Sequence, residues 1–82
     1  MQKPTTPIRP LYEIAREIKA DWKNVNFAAK PYLEAMASLD KITDLYGADS
    51  AKNVVLYFLC NAGTWRGEVA KRVKAELNKM TK

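Results

Sequence analysis

Ala51-Lys52-Asn53-Val54-Val55-Leu56-Tyr57-Phe58-Leu59-Cys60-Asn61-Ala62 is the stretch on which the fold turns. Its apolar run, Val54 to Cys60, admits two readings. Val, Tyr and Phe favour strands, and a short apolar run alone does not separate a buried strand from a buried helix. A lone strand, however, leaves its backbone N–H and C=O groups unmatched. No second strand is found in the chain to pair with it, so the run reads as a helix. Its apolar residues cover almost the whole wheel, which places the helix centrally and buries it on several sides. Asp49 or Ser50 suits the N-cap and Gly63 the stop, giving a helix over 50–62.

Upstream, Tyr32, Met36, Leu39, Ile42, Thr43 and Tyr46 share one helical face, with Glu34, Lys41 and Asp44 opposite and Gly47 as a left-handed stop. The spacing predicts a helix over 27–46. Pro31 fits only its first turn, so either Phe27–Lys30 form a separate turn or the helix starts near Asn26. Lys23-Asn24-Val25-Asn26 is a polar connector in which Asn24 or Asn26 caps this second helix. Before it, Leu11, Ile14, Ala15, Ile18 and Trp22 recur at i, i+3, i+4, i+7 and i+11, one stripe of a first helix over 10–22. Pro10 suits its first position, where a missing N–H costs nothing. Residues 1–9, with prolines at 4 and 7, read as a flexible tail.

Downstream, Thr64 is the expected cap of a helix over 64–80 whose inward stripe is Trp65, Val69, Val73, Leu77 and Met80. Helices joined by short connections pack antiparallel, so the expected fold is all-α: a compact bundle of four helices forming one domain over 10–82. Its expected core is Leu11, Ile14, Ile18, Trp22, Met36, Leu39, Ile42, Val54, Val55, Phe58, Leu59, Val69, Val73 and Leu77. The single cysteine, Cys60, reads as a buried structural thiol.

The residue inventory argues against catalysis. With no histidine, the usual general base and commonest metal ligand are missing. One cysteine builds neither a zinc site nor a Cys–His dyad. Asp44-Leu45-Tyr46-Gly47-Ala48-Asp49 lacks the alternating oxygen ligands and terminal glutamate of a calcium loop. The carboxylate pairs Glu13/Glu17 and Asp40/Asp44 fall on polar helix faces. No enzyme and no cofactor are expected. No apolar run approaches the ~18 residues of a membrane span, and the N-terminal residues lack the apolar segment of a secretory signal, so a cytoplasmic setting is expected.

Charge supplies the functional hint. Residues 63–82 carry six basic side chains (Arg66, Lys71, Arg72, Lys74, Lys79, Lys82) against Glu68 and Glu76, so they hold +4 of the chain's +5. On a wheel, Lys71, Lys74, Lys79, Lys82 and Arg72 fall on the outer face, where they are either solvated surface or phosphate contacts. Glu68 and Arg72 stand in the favoured i, i+4 order, and Arg72 also reaches Glu76. Arg66 falls within the apolar arc beside Trp65. It either pairs with a carboxylate of another helix or, with Trp65 and Gly67, forms a contact tip of the residue types enriched in binding hot spots. Gly67 costs about 1 kcal/mol inside a helix, which close approach of a neighbour would offset. Residues 55–74 also resemble a helix-turn-helix weakly, since Thr64 and Arg72 sit where apolar, inward residues belong.

The segments Pro10–Ile18, Lys30–Met36 and Leu56–Glu68 resemble small uncharacterised proteins of phages and conjugative elements from Gram-positive gut bacteria, a likeness spanning residues 10–80. The resemblance brings no activity and no site residues. It implies an accessory protein of a mobile element, of a kind that binds DNA or blocks a host defence protein, CRISPR effectors included. Together these readings predict a non-enzymatic binding module whose partner is nucleic acid or an acidic protein surface. Its contacts would come from Trp65, Arg66, Lys71, Lys74, Lys79 and Lys82. A protein-binding inhibitor or adaptor using Trp65, Arg66 or Tyr12 is the alternative, and self-association is a third reading.

Overall fold

The central stretch is helical. In the computed structural model, which describes residues 9–82, α1 spans Leu11–Asp21, α2 Lys30–Met36, α3 Ala51–Cys60 and α4 Glu68–Met80. A two-residue hairpin, β1 (Leu45–Tyr46) and β2 (Asp49–Ser50), precedes α3. The chain is thus mostly helical with a small antiparallel sheet rather than all-α. Of the tail expected over 1–9, residues 1–8 lie outside the described residues.

α1 matches its predicted stripe, with Leu11, Ile14, Ala15 and Ile18 all buried. Pro10 is its N-cap, one residue outside the predicted place, and its carbonyl accepts from Glu13 and Ile14 N–H at 3.0 and 3.2 Å. The orphan donors of a first helical turn need partners. Leu11 and Tyr12 N–H donate to the carbonyls of Asp40 and Leu39, both at 2.8 Å, so the chain after α2 is tied to the start of α1.

That tie accounts for the main correction. The predicted second helix of 27–46 is helical only over Lys30–Met36. At its start, the Asn26 side chain accepts from Ala28 N–H at 3.0 Å and its carbonyl accepts from Ala29 and Lys30 N–H. Phe27–Ala29 therefore form the separate turn, with Pro31 tolerated in the first helical turn. Past Met36, Ser38 Oγ donates to the Ala35 carbonyl, and the Asp44 carboxylate accepts from Asp40 and Lys41 N–H at 3.2 and 3.0 Å. Leu39 is buried and Ile42 partly buried, but from irregular chain, while Tyr46 is exposed. Gly47, at φ 61°, turns the hairpin that replaces the last predicted helical turn.

Ser50, rather than Asp49, caps α3, its Oγ accepting from Asn53 N–H at 3.1 Å. Cys60 is exposed on the outer side of α3, contrary to the buried thiol expected. The connector of residues 61–67 is longer than the three to four residues of a helix-turn-helix, so that pattern is not realised. α4 begins four residues later than predicted, at Glu68 rather than 64, and Thr64 is an exposed loop residue. α1 packs on α2 and α4, and α3 packs on the same two, so the helices form a ring around one core. Ile42, Leu59 and Val69 line that core only partly, whereas Leu33 and Trp65 belong to it fully. No helix among the described residues is long and apolar enough to cross a membrane.

Candidate functional site

Trp65 sits not on a helix but in the connector before α4, and it is 2 % exposed. Its indole stacks on Trp22 with ring centroids 5.7 Å apart and planes 10° off parallel, and it meets Phe58 edge-on at 6.4 Å. Nε1–H donates to Asp21 Oδ2 at 2.8 Å, which satisfies the one polar group a buried indole carries. The contact tip predicted at Trp65 is therefore a core anchor that pins the connector to the end of α1. Gly67 explains itself differently from the prediction too. It is the N-cap of α4 at φ 115°, ψ −177°, a region open essentially to glycine, and a Cβ there would touch nothing. Backbone conformation, not a close neighbour, demands the glycine.

The charges of α4 divide between two flanks. On the α1 side, Glu76 accepts two hydrogen bonds from Arg9, at 2.6 and 3.0 Å, a bidentate pair. Glu17 of α1 receives Arg72 and lies 2.9 Å from Arg9 Nη2. Arg72 thus reaches across to α1 instead of pairing with Glu68 or Glu76 on its own helix, as expected from spacing. The Arg72 hydrogen bond, with that of Arg9 behind it and burial opposing both, holds the Glu17 carboxyl below the usual carboxylate range. Arg9, expected from sequence in a flexible tail, is instead the hub of this cluster. Hydrogen bonding to Glu76 outweighs its desolvation and raises its pKa further. Chain separations of 67 and 55 residues leave no local signal for either pairing.

The other flank presents Lys71, Lys79 and Lys82, all exposed and without a carboxylate partner among the described residues. At about 100° per residue they fall within an arc of roughly 80°, and Lys71 and Lys79 stand roughly 12 Å apart along the axis. The exposed Glu68 shares that arc in the first turn, where a carboxylate suits the helix dipole. Lys74, predicted to lie with them, is half-buried and committed inward. Its Nζ donates to the Trp65 carbonyl at 2.6 Å and lies 5.8 Å from the centroid of the Trp65 ring. Burial first, and the nearby Arg66 charge second, hold the Lys74 pKa below the usual lysine range. Arg66 is exposed and carries no ion pair among the described residues, so the predicted pairing with another helix is not formed.

Of the six predicted contact residues, Arg66, Lys71, Lys79 and Lys82 remain on the surface, Lys74 is half-committed and Trp65 is interior. A separate shallow groove of about 310 Å³ lies between α1 and α2, lined by Tyr12, Arg16, Lys19 and Ala37. Lys19 there pairs with Glu34 at 3.1 Å. No cluster of three or more metal-ligating side chains occurs among the described residues. No family model, curated protein or solved structure matches the chain.

Proposed function

We propose that this protein is a non-enzymatic binding module that takes an anionic partner, nucleic acid, on the α4 flank carrying Lys71, Lys79 and Lys82, with Arg66, exposed in the connector before α4, as a further contact. One observation carries the reading: the partition of charge on α4. On the α1 side Glu76 is held by Arg9 and Arg72 is held by Glu17, so the other flank sets three lysines without an ion pair among the described residues against a single carboxylate, Glu68. Solvation alone accounts for single exposed lysines, but a one-sided cationic strip is also what phosphate contact needs. The mobile-element resemblance agrees with such a role.

Fluorescence anisotropy with labelled duplex and single-stranded oligonucleotides tests it. Affinity should fall linearly on a log–log salt plot, with a slope lowered by ~0.7–0.9 for each lysine removed. Lys71→Glu with Lys79→Glu should weaken binding to every sequence alike. Absence of binding at low salt rejects the proposal. The alternative, an inhibitor or adaptor acting on a host protein such as a CRISPR effector, loses Trp65 as an anchor, since that ring is interior. It rests instead on Arg66 and the half-exposed Tyr12, and it predicts a complex that survives salt sufficient to abolish oligonucleotide binding.

A further inference from the structure

Lys74 and Arg66 meet at one peptide group. Lys74 Nζ donates to the Trp65 carbonyl at 2.6 Å, and that carbonyl belongs to the peptide bond leading into Arg66. Across a trans peptide a carbonyl oxygen lies about 2.8 Å from the Cα that follows, so the ammonium stands within roughly 5–6 Å of Arg66 Cα. The Trp65 ring, its centroid 5.8 Å from Nζ, walls one side. That ring is fixed by its stack on Trp22 and its bond to Asp21, so the peptide that gathers the two cations is held in place. Arg66 is exposed, Lys74 is half-buried, and neither makes an ion pair among the described residues. The neighbouring carboxylates are placed elsewhere: Asp21 accepts from Trp65 Nε1–H at 2.8 Å, and Glu68 lies about 120° from Lys74 around α4.

Two like charges held this close destabilise each other unless an opposite charge offsets them. Burial and the Arg66 charge both disfavour the Lys74 ammonium where it stands. An anion shared by the two side chains would offset both effects. We propose that Arg66 and Lys74 form a binding site for a phosphomonoester dianion, at the point where the 61–67 connector enters α4. Charge selects the ligand class. The pair presents two positive charges, which a phosphomonoester matches with about −1.5 to −2 at pH 7, whereas a carboxylate or a phosphodiester brings a single charge. Hydrogen bonding selects it too. An ammonium has three donors, of which the Trp65 carbonyl takes one, and the Arg66 guanidinium offers a planar fork suited to two phosphate oxygens. The site stands apart from the lysine flank of α4 and does not depend on it. The same group occurs on small phosphate esters and at the phosphorylated end of a nucleic acid strand.

Heteronuclear NMR titration of the full chain with methyl phosphate, at constant ionic strength and neutral pH, reads the site. The Arg66 amide shares its peptide group with the Trp65 carbonyl, so its resonance reports on that oxygen, and the Trp65 indole N–H reports on the ring. Both should shift saturably, with a dissociation constant in the millimolar range. Dimethyl phosphate, a monoanion, should bind about tenfold more weakly or worse. Arg66→Gln, at an exposed position that leaves the core intact, should weaken methyl phosphate binding by about tenfold, and Lys74→Met should do the same. Lys71→Glu with Lys79→Glu should change it by less than about threefold, because salt screens charges a Debye length away. An oligonucleotide with a terminal phosphate, compared by anisotropy with its hydroxyl-ended twin, assigns the source. Tighter binding that Arg66→Gln erases marks a strand end, and equal binding of the two marks a small ester. The absence of a saturable shift up to about 0.1 M methyl phosphate overturns the proposal. So does equal binding of dimethyl phosphate, or an Arg66→Gln protein that binds as wild type does.

Discussion

Replacing Trp65 by alanine separates a core anchor from a contact residue. Truncating a fully buried aromatic costs about 3–5 kcal/mol, and the environment of Trp65 fixes where in that range it falls. The Trp22 stack and the Phe58 edge contact are lost together, each worth roughly 0.5–1.5 kcal/mol beyond area. The Asp21 bond adds little more than about 1 kcal/mol, because Asp21 is exposed and regains water. A loss of about 4 kcal/mol follows. Against the roughly 4–12 kcal/mol expected of a domain this size, it would leave the fold marginal. Urea denaturation followed by far-UV circular dichroism measures it with no reliance on the deleted fluorophore. Trp65→Phe keeps the ring contacts and should cost about 1–2 kcal/mol. If Trp65→Ala lowers stability by less than about 1 kcal/mol, the indole is not the keystone described, and a surface role for it returns.

Gly67→Ala should destabilise by about 1–3 kcal/mol through backbone strain alone, since the added methyl meets open space; the same urea titration checks it, and a neutral result would mean the φ of 115° is not required. Glu17 gives a pH signature. Its pKa in the folded protein lies below its unfolded value, so its contribution is complete above about pH 4.3 and disappears as pH falls through the depressed folded value. Wild type should therefore lose about 1 kcal/mol more than Glu17→Gln between about pH 5 and about pH 3 in thermal unfolding. Parallel curves would remove the Arg9–Glu17–Arg72 cluster from the stability of the α1–α4 seam.

What could be read from residues alone depends on the range of the interactions concerned. α1, α3 and the body of α4 are local periodicities, and Ser50 is a local cap, so spacing suffices for them. The stop of α2 at Met36 is not local. Leu39 and Ile42 keep helical spacing, yet the carbonyls of Leu39 and Asp40 are claimed by the unpaired donors of α1, some thirty residues upstream. An apolar residue buried from a loop and one buried from a helix look alike in sequence. Trp65 shows the same ambiguity: its spacing predicts an inward ring correctly but assigns it to a helix instead of a connector. At the candidate site, net charge marks α4 correctly as cationic. Which cations remain unpaired depends on Arg9 and Glu17, far away in the chain, and on the inward turn of Lys74. Cys60 lies in an apolar run that reads as buried all round, whereas one side of α3 is left to solvent.

The α1–α4 seam bears on how the protein is made. α1 leaves the ribosome well before α4, one of its two packing partners, and Arg9 waits for Glu76. At ~5–20 residues per second, the apolar stripe of Leu11, Ile14 and Ile18 stays without that cover for roughly 3–14 seconds of synthesis. During that interval α1, α2 and α3 can meet but the ring cannot close. A nascent chain halted before residue 68 should therefore be protease-sensitive and bound by chaperones, whereas one in which α4 has emerged converts to the closed form in a single late step.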